Sequence, residues 1–163
     1  MTLGRRKVRF VKRVYVNEEW CLGCHLCEYH CAYASVSGAV GERREKDMAR
    51  TLKGHKINPR IRVEEHDGIS FAVSCLHCSE PLCVKSCITG ALTVTDGVIS
   101  INRERCVHCY TCILSCPFGA ISASDNGAVQ KCELCAKTNE GIPACVIGCP
   151  NGAIVFEERG CVR

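Results

Sequence analysis

The sequence predicts an α+β protein made of two interleaved units with short β-hairpins and short helices, and three patterns lead to this prediction. Sixteen of the seventeen cysteines fall into four runs. The segment Cys-x-x-Gly-Ala recurs at the end of three runs, at Cys87, Cys116 and Cys149. Asp-Gly pairs at residues 67–68 and 96–97 stand between short apolar segments, which is a strong signal for a β-hairpin.

The four runs share their outer spacing, since each begins with Cys-x2-Cys and ends with Cys-x3-Cys. They are Cys21, Cys24, Cys27, Cys31; Cys75, Cys78, Cys83, Cys87; Cys106, Cys109, Cys112, Cys116; and Cys132, Cys135, Cys145, Cys149. A cubane [4Fe–4S] cluster is held by four thiolates, and in the bacterial ferredoxin run the fourth cysteine binds the neighbouring cluster. The spacing therefore predicts four [4Fe–4S] clusters with these sixteen cysteines as iron ligands.

Other uses of clustered cysteines fit this spacing less well. Structural zinc sites usually assemble from two separated pairs and need no third cysteine after two residues. A disulfide framework belongs to an oxidising compartment. Residues 21–25 also match the haem-attachment pattern Cys-x-x-Cys-His, but Cys27 and Cys31 already complete a cluster run there.

Short strands are predicted around the turn signals, and short helices are expected to begin near each fourth cysteine. The predicted hairpins are residues 61–63 with 69–73 and residues 92–95 with 98–101, and residues 154–156 form a closing strand. Residues 32–60 lie between the first two runs, and the mixed-sign segment 42–47 could open a helix that reaches Lys53. This stretch is either a solvated surface segment or an insertion that docks a partner, with Arg43, Arg44 and Lys46 as candidate contacts.

The composition indicates a protein that relies on metal for its stability. Without its 17 cysteines the apolar fraction falls from 47% to roughly 37%, which is low for a globular core. The formal charge is +4, but each oxidised four-thiolate cluster carries about −2, so a chain with four clusters would carry about −4. The basic residues are therefore expected to balance cluster charge rather than to bind nucleic acid. No glycine-rich fingerprint predicts a nicotinamide or flavin site.

No segment predicts export or membrane insertion. Residues 1–20 scatter their charges, Arg5-Arg6 is followed by no apolar region, and nowhere do 18 consecutive apolar residues occur. A cytoplasmic location is therefore expected, and Cys161, which lies outside the runs, is expected to be a free thiol.

Several side chains beside the cysteines have expected supporting roles. His25, His77 and His108 stand between ligand cysteines and are expected to tune cluster potentials. The aromatic residues near the ligands are expected to belong to the core and to shield the clusters. They are Trp20, Tyr29, Tyr33, Tyr110 and Phe118.

Three motifs resemble the iron–sulfur subunits of the dimethyl-sulfoxide-reductase type, over about residues 14–156. The motifs are Cys75-x-His77-Cys78-x-x-Pro81-x-Cys83-x-x-x-Cys87, Lys131-Cys132-x-x-Cys135, and Gly141-x-Pro143-Ala144-Cys145-x-x-x-Cys149-Pro150-x-Gly152-Ala153-Ile154. The chain is most similar to the small soluble electron carriers that serve carbon monoxide dehydrogenase or tungsten aldehyde oxidoreductase, and carriers of hydrogenase and formate dehydrogenase are related. Ile88 replaces a proline that is usual in that family, and the C-terminal extension of its membrane-bound members is missing.

The resemblance implies an electron-transfer subunit without a substrate of its own. Its partners would be a larger catalytic redox subunit and a further ferredoxin or flavoprotein, and a row of clusters open at two ends could also pass electrons between copies of the chain. The alternative is an enzyme in which one cluster has a catalytic role. Catalytic clusters typically keep an open iron, however, and all four runs here have four cysteines.

The runs could exchange their fourth cysteines between nearest neighbours or in a nested arrangement. The short connector 88–105 favours pairing the second run with the third, 43 residues separate the first two runs, and strand 154–156 could return to residues 14–16. The resemblance implies the nested arrangement as well. It divides the single domain, residues 1–163, into pseudo-halves 1–58 plus 123–163 and 59–122. The expected ligand sets are Cys21, Cys24, Cys27 with Cys149; Cys31 with Cys132, Cys135, Cys145; Cys75, Cys78, Cys83 with Cys116; and Cys87 with Cys106, Cys109, Cys112.

Overall fold

The structure of the chain is a computed structural model that describes residues 11–38, 45–125, 127–136 and 141–159. Within these ranges, eight short strands form four separate two-stranded antiparallel sheets. The strands are β1 Lys12–Val16, β2 Ile61–His66, β3 Ile69–Ser74, β4 Leu92–Thr95, β5 Val98–Ile101, β6 Ile121–Ala123, β7 Val129–Lys131 and β8 Ile154–Glu158. The helices are α1 Leu26–Ser37, α2 Glu45–Leu52, α3 Leu82–Lys85, α4 Thr111–Leu114 and α5 Ala144–Ile147, with a 3-10 turn at Glu18–Trp20.

Both predicted hairpins are confirmed, since β2 pairs with β3 and β4 pairs with β5. Each turn is an Asp-Gly pair in the left-handed region, with φ of 49° and 77° at Asp67 and Gly68 and of 50° and 79° at Asp96 and Gly97. Such turns match the twist of the strands that they connect. A third hairpin, β6 with β7, brings residue 123 opposite residue 129, and the second of these strands was not foreseen from the sequence.

The strand at the end of the chain returns to the strand at its beginning. In this antiparallel pair Val14 faces Phe156 and Val16 faces Ile154, as the sequence had indicated. The backbone N–H of Asn17 also donates to the carbonyl oxygen of Ala153 at 2.7 Å. Residues before the first cysteine run are thereby fixed to residues just after the last run.

The prediction that short helices begin near each fourth cysteine is wrong. Helices α3, α4 and α5 each contain the third cysteine of a run and end before the fourth. Pro81 and Pro143 precede α3 and α5 in an extended conformation, and their carbonyl oxygens accept the first hydrogen bonds of these helices. At the other end, the Cys-Pro pairs at residues 116–117 and 149–150 oppose helical continuation, because a residue before proline disfavours the helical region.

Helix α2 lies in the stretch between the first two runs and packs against α1. Its Met48 and Leu52 side chains form a small buried cluster with Ala32, and Tyr33 packs on that cluster. The expected helix is thus confirmed over residues 45–52. The start of the mixed-sign segment, with Arg43 and Arg44, and the side chain of Lys46 lie outside the described part of the chain.

Two apolar cores hold the strands and helices together, and each contains buried cysteines. The first consists of Val14, Cys27, Ile61, Ala72, Cys145 and Ile154. The second consists of Cys83, Leu92, Ile99, Cys112, Ile121 and Val129. The division into pseudo-halves remains a prediction. Ile61 and Ala72 belong to the expected half 59–122 but pack in the first core with residues of the other half. Val129 belongs to the other half but packs in the second core with residues of 59–122. Among the described residues, no helix is long and apolar enough to cross a membrane.

Burial predicts a large difference between two isoleucine substitutions. Ile154 is 4% exposed where β8 closes the first core, whereas Ile88 is 75% exposed. Ile154→Ala is expected to lower the free energy of unfolding by about 2–5 kcal/mol, since it removes buried methyl groups and leaves a cavity. Ile88→Ala should change it by less than about 0.5 kcal/mol. Anoxic urea unfolding, followed by circular dichroism, measures both. Equal destabilisation by the two substitutions would contradict this account of the core.

Candidate iron–sulfur centres

The first group of cysteines surrounds a cavity between the start of α1 and the end of α5. Cys21, Cys24, Cys27 and Cys149 line it, and the space within it that holds no atoms, including the part open to solvent, is about 340 Å³. The side-chain amide of Asn151 donates to the carbonyl oxygen of Trp20 at 2.7 Å. This bond and the β1–β8 pair bring cysteines more than a hundred residues apart in the chain to one site.

Two further cavities of similar size are lined by the second and third runs. Cys75, Cys78, Cys83 and Cys116 line one of about 330 Å³, and Cys87, Cys106, Cys109 and Cys112 line another of about 320 Å³. In each case three cysteines come from one run and one from the other. The hydroxyls of Ser86 and Ser115 lie 2.8 Å apart and link the ends of α3 and α4, which holds these two runs side by side.

The remaining four cysteines gather beside α1 and the loop after β7. Cys31, Cys132 and Cys135 line a wider cavity of about 620 Å³. Cys145 does not line it, but its thiol is close enough to interact electrostatically with Cys132, Cys31 and Cys135. The four groups thus contain the same cysteines as the four expected ligand sets. That these cysteines bind iron in these sets remains a prediction.

Burial makes seven of these thiols hard to ionise without a bound metal. It raises the pKa of Cys27 and of Cys132 to about 12 and that of Cys83 to about 11, and neighbouring thiols add to each rise. Burial also raises the pKa of Cys31, Cys78, Cys112 and Cys145. Iron binds the thiolate form, so that metal binding supplies the positive charge that the buried sulfur needs.

Two cysteines of the group that consists of Cys87, Cys106, Cys109 and Cys112 behave differently. The N–H and the hydroxyl of Thr111 lower the pKa of exposed Cys109, and that hydroxyl lies 3.5 Å from the sulfur. Burial opposes ionisation of Cys87, but hydrogen bonds from Leu92, Thr89 and Ala91 together lower its pKa. Hydrogen bonds to cluster sulfur atoms are one of the means by which proteins set cluster potentials.

The loops between the cysteines curve through left-handed backbone conformations. His25, His77 and His108 have φ of 57°, 46° and 58°, and Leu134 in the fourth run has φ of 55°. Such values are uncommon outside glycine, and successive N–H groups in such turns can form a concave surface for anions. The three histidines therefore shape the loops, while their expected influence on potential remains a prediction. Of the three, His77 is fully buried and His108 is exposed.

The aromatic residues near the cysteines are not core residues, contrary to the sequence-based expectation. Trp20, Tyr110 and Phe118 are all at least 40% exposed, and each lines one of the cysteine cavities at the protein surface. Tyr29 is exposed as well, and Tyr33 packs on the α1–α2 cluster instead. Three of the five are thus placed where they cover a cavity from solvent. Cys161 lies outside the described residues.

Sequence reasoning missed the charged side chains that position the loops. The carboxylate of Glu28 accepts the N–H of Val63 at 2.6 Å, and the N–H of Arg60 donates to the sulfur of Cys31 at 3.2 Å. The guanidinium of Arg60 lies 3.6 Å from the buried carboxylate of Glu133, which also accepts the N–H of Ile101. No periodic pattern marks these residues, since their partners are distant in sequence.

The donors fit [4Fe–4S] clusters. Three of the groups place four cysteine sulfurs around one space, and the second places three around its cavity with Cys145 close by, and four thiolates are the donor set of such a cluster. Two buried nitrogen atoms beside the groups, Arg13 Nε and His77 Nε2, have no hydrogen-bond partner among the described residues, and N–H donors of this kind suit a neighbour with net negative charge. Among the described residues, no three His, Cys, Asp or Glu side chains converge as they would on a single metal ion.

The fold and these cysteine groups define the class of protein as a ferredoxin-like iron–sulfur protein of mixed α+β structure. Residues 67–159 match the family described as 4Fe-4S dicluster domain. The match covers more than half of the chain, and the chain therefore belongs to this family and binds [4Fe–4S] clusters.

Two relatives that the chain covers over most of their length are an iron–sulfur protein and an electron transport protein. The chain is 33% identical over 147 residues to an iron–sulfur protein of Rhodospirillum rubrum, covering 80% of this chain and 74% of the relative. It is 30% identical over 137 residues to the electron transport protein HydN of Escherichia coli K12, covering 74% of each. The chain is accordingly an iron–sulfur protein of electron transport.

The chain also matches part of a much longer protein and a solved complex. It is 34% identical over 136 residues to AegA of Escherichia coli K12, which covers 78% of this chain but only 19% of AegA. Among solved structures, the active site complex BamBC of benzoyl coenzyme A reductase has 24% sequence identity and a TM-score of 0.49, covering 95% of this chain and 81% of that chain.

Removal of iron is expected to unfold the chain. Both cores contain buried cysteines, and the energy of metal binding in such domains is part of the folding energy. Anoxic protein treated with an iron chelator should lose its circular dichroism signal in step with its brown colour. Apo-protein that kept its native spectrum and melted cooperatively would contradict this expectation.

Proposed function

We propose that this chain is a non-catalytic electron-transfer subunit that carries single electrons through four [4Fe–4S] clusters. The observation that carries the proposal is the presence of four cysteine-lined spaces, each built from two runs in the order that nested exchange requires. The proposed ligand sets are those expected from the sequence, with two interleaved ferredoxin-like units as the architecture.

The spatial order of the groups supports a row of clusters. Cys27 of the first group acts electrostatically on Cys145 of the second, and Cys75 of the third group acts on Cys132 of the second. Helices α3 and α4 connect the third group to the fourth. Cys24 and Cys109, in the outermost groups, are exposed, so we propose that electrons enter and leave at these two ends.

The proposed partners are a larger catalytic oxidoreductase subunit at one end and another redox protein, a ferredoxin or flavoprotein, at the other. Hydrogenase-4 component A of Escherichia coli K12 is 33% identical over 110 residues, but the chain covers only 46% of it. Segments similar to this chain also occupy 19% and 18% of the longer proteins AegA and UacF. These relatives support a carrier that works beside or within a larger redox assembly. We propose an assembly of hydrogenase, formate dehydrogenase, carbon monoxide dehydrogenase or aldehyde oxidoreductase type on the resemblance of the cysteine motifs.

One observation favours a second candidate, an enzyme in which a cluster has a catalytic role. The second cavity is the widest of the four, and three rather than four cysteines line it. A cluster held there by three cysteines would keep an iron open to a substrate. Cys145 is buried close to the other three sulfurs, which favours the electron-transfer proposal.

Counting thiols distinguishes these two candidates. With sixteen bound cysteines, native anoxic protein should expose a single reactive thiol, that of Cys161, and Cys161→Ser should expose none. Because Cys145 is buried, an unbound Cys145 would react only slowly. Two thiols labelled in the native protein after prolonged anoxic exposure to the reagent, falling to one in Cys161→Ser, would favour the catalytic candidate. Denatured protein gives the total number of thiols per chain for comparison.

Metal analysis tests the number of clusters. Protein purified without oxygen should contain about 16 iron and 16 sulfide per chain, four of each per cluster. A content near 8 of each, or stoichiometric zinc, would refute the four-cluster proposal.

Paired substitutions test which runs share a cluster. In the nested arrangement Cys31 and Cys132 bind the same cluster, so Cys31→Ala with Cys132→Ala should remove one cluster and leave about 12 iron. In the nearest-neighbour arrangement the same pair would disrupt two clusters and leave about 8 iron. Cys31→Ala with Cys87→Ala is the matched control, because it disrupts two clusters in either arrangement. Equal iron contents in the two double variants would refute nested exchange.

A further inference from the structure

Lys131, the last residue of β7, is a buried lysine without an acidic partner. Its side chain is 1% exposed. The ammonium donates to the carbonyl oxygen of Ile99 at 2.5 Å and to that of Cys132. Among the described residues no carboxylate pairs with it, and the buried Glu133 is engaged by Arg60 and Ile101. Two neutral carbonyl oxygens do not compensate a buried positive charge, and an anion close to the Lys131 ammonium would stabilise it.

Two further buried nitrogen atoms near Lys131 also lack a partner. The Nδ1 atom of His77 accepts the N–H of Ile99 at 2.9 Å, so that its imidazole carries a proton on Nε2, and Nε2 has no acceptor. The Nε atom of half-buried Arg13 has none either. Since the Nδ1 atom of His77 accepts a hydrogen bond, it carries no proton. The imidazole is therefore neutral, and the two fixed charges are those of Lys131 and Arg13.

The Lys131 ammonium lies between the two inner cysteine groups, because it binds the carbonyl oxygens of Cys132, which belongs to the second group, and of Ile99, which lines the cavity of the third. The charge of Lys131 favours the thiolate of Cys132 in the second group and of Cys83 in the third, and Arg13 favours that of Cys78 in the third. The first group differs, because its Cys27 has the carboxylate of Glu28 as its strongest charged neighbour. The local charge is thus positive beside the inner groups and negative beside the first.

We propose that Lys131, with Arg13 as a second charge, is the shared counter-charge of the two inner clusters and makes both of them easier to reduce. This inference rests on the proposed function, since it requires clusters at both inner groups. Reduction brings one electron and no proton to a cluster, and its charge with four thiolates changes from about −2 to about −3. A buried cation nearby stabilises the more negative state, and no protein bond forms or breaks.

Charge removal at Lys131 tests the inference. Lys131→Gln removes the charge but keeps an N–H donor, Lys131→Arg keeps the charge, and Lys56→Gln is the control at a lysine whose side chain is 72% exposed. The four one-electron potentials are measured by anoxic titration monitored by electron paramagnetic resonance, with dithionite as reductant, which gives up one electron per sulfur and becomes sulfite. In Lys131→Gln the equilibrium constant for reduction should fall at least tenfold, or 59 mV, at two of the four sites. Lys131→Arg and Lys56→Gln should change no site by as much as threefold.

The possible outcomes separate this inference from the proposed function. Unchanged potentials in Lys131→Gln, or a uniform shift of all four, in protein that holds about 16 iron would overturn the inference and leave the four-cluster proposal standing. Fewer than four clusters in the unsubstituted protein would refute the proposed function instead. If Lys131→Gln does not retain its iron, the same titration of Arg13→Gln tests the inference. Arg13→Gln should lower the equilibrium constant for reduction at one of the four sites. Unchanged potentials in Arg13→Gln would overturn the inference.

Discussion

The burial of cysteine sulfur inside both apolar cores is the constraint on which the rest of the structure depends. Cys27 and Cys145 belong to one core, and Cys83 and Cys112 belong to the other. Burial disfavours the thiolate that iron needs, and without metal these residues would leave each core with weakly interacting thiols. The same residues therefore serve as core and as candidate ligands, and a chain with so few other apolar residues is expected to couple its folding to its metal content.

Long-range pairing determines how the cysteine runs meet. The β1–β8 pair joins the two ends of the described chain, and through it Cys149 reaches the cavity of the first run. The middle runs instead meet through the short connector that contains β4 and β5, with Ser86 and Ser115 in contact. Short helices that end before the fourth cysteine release that residue from its own loop, so that it can reach the neighbouring group.

The charges around the groups differ more than the sulfur donors do. The four groups offer the same donor atoms, but Glu28 is beside the first, Lys131 and Arg13 are beside the inner two, and hydrogen bonds from Thr111 and Thr89 reach the fourth. Because cluster potentials respond to net charge, hydrogen bonds and exposure, a chain of four similar centres can still have four different potentials.

The sequence by itself determined the features that depend on neighbours along the chain. Cysteine spacing indicated the cluster type, and the Asp-Gly pairs at 67–68 and 96–97 indicated two hairpins, because both signals act over a few residues. Only the tertiary structure decided that helices begin before the third cysteine, that Trp20 and Phe118 are exposed, and that Lys131 is buried. The carbonyl of Ile99 that receives the Lys131 ammonium is 32 residues away in sequence. The burial of a side chain depends on contacts with residues this distant in sequence, and a local sequence pattern does not record those contacts.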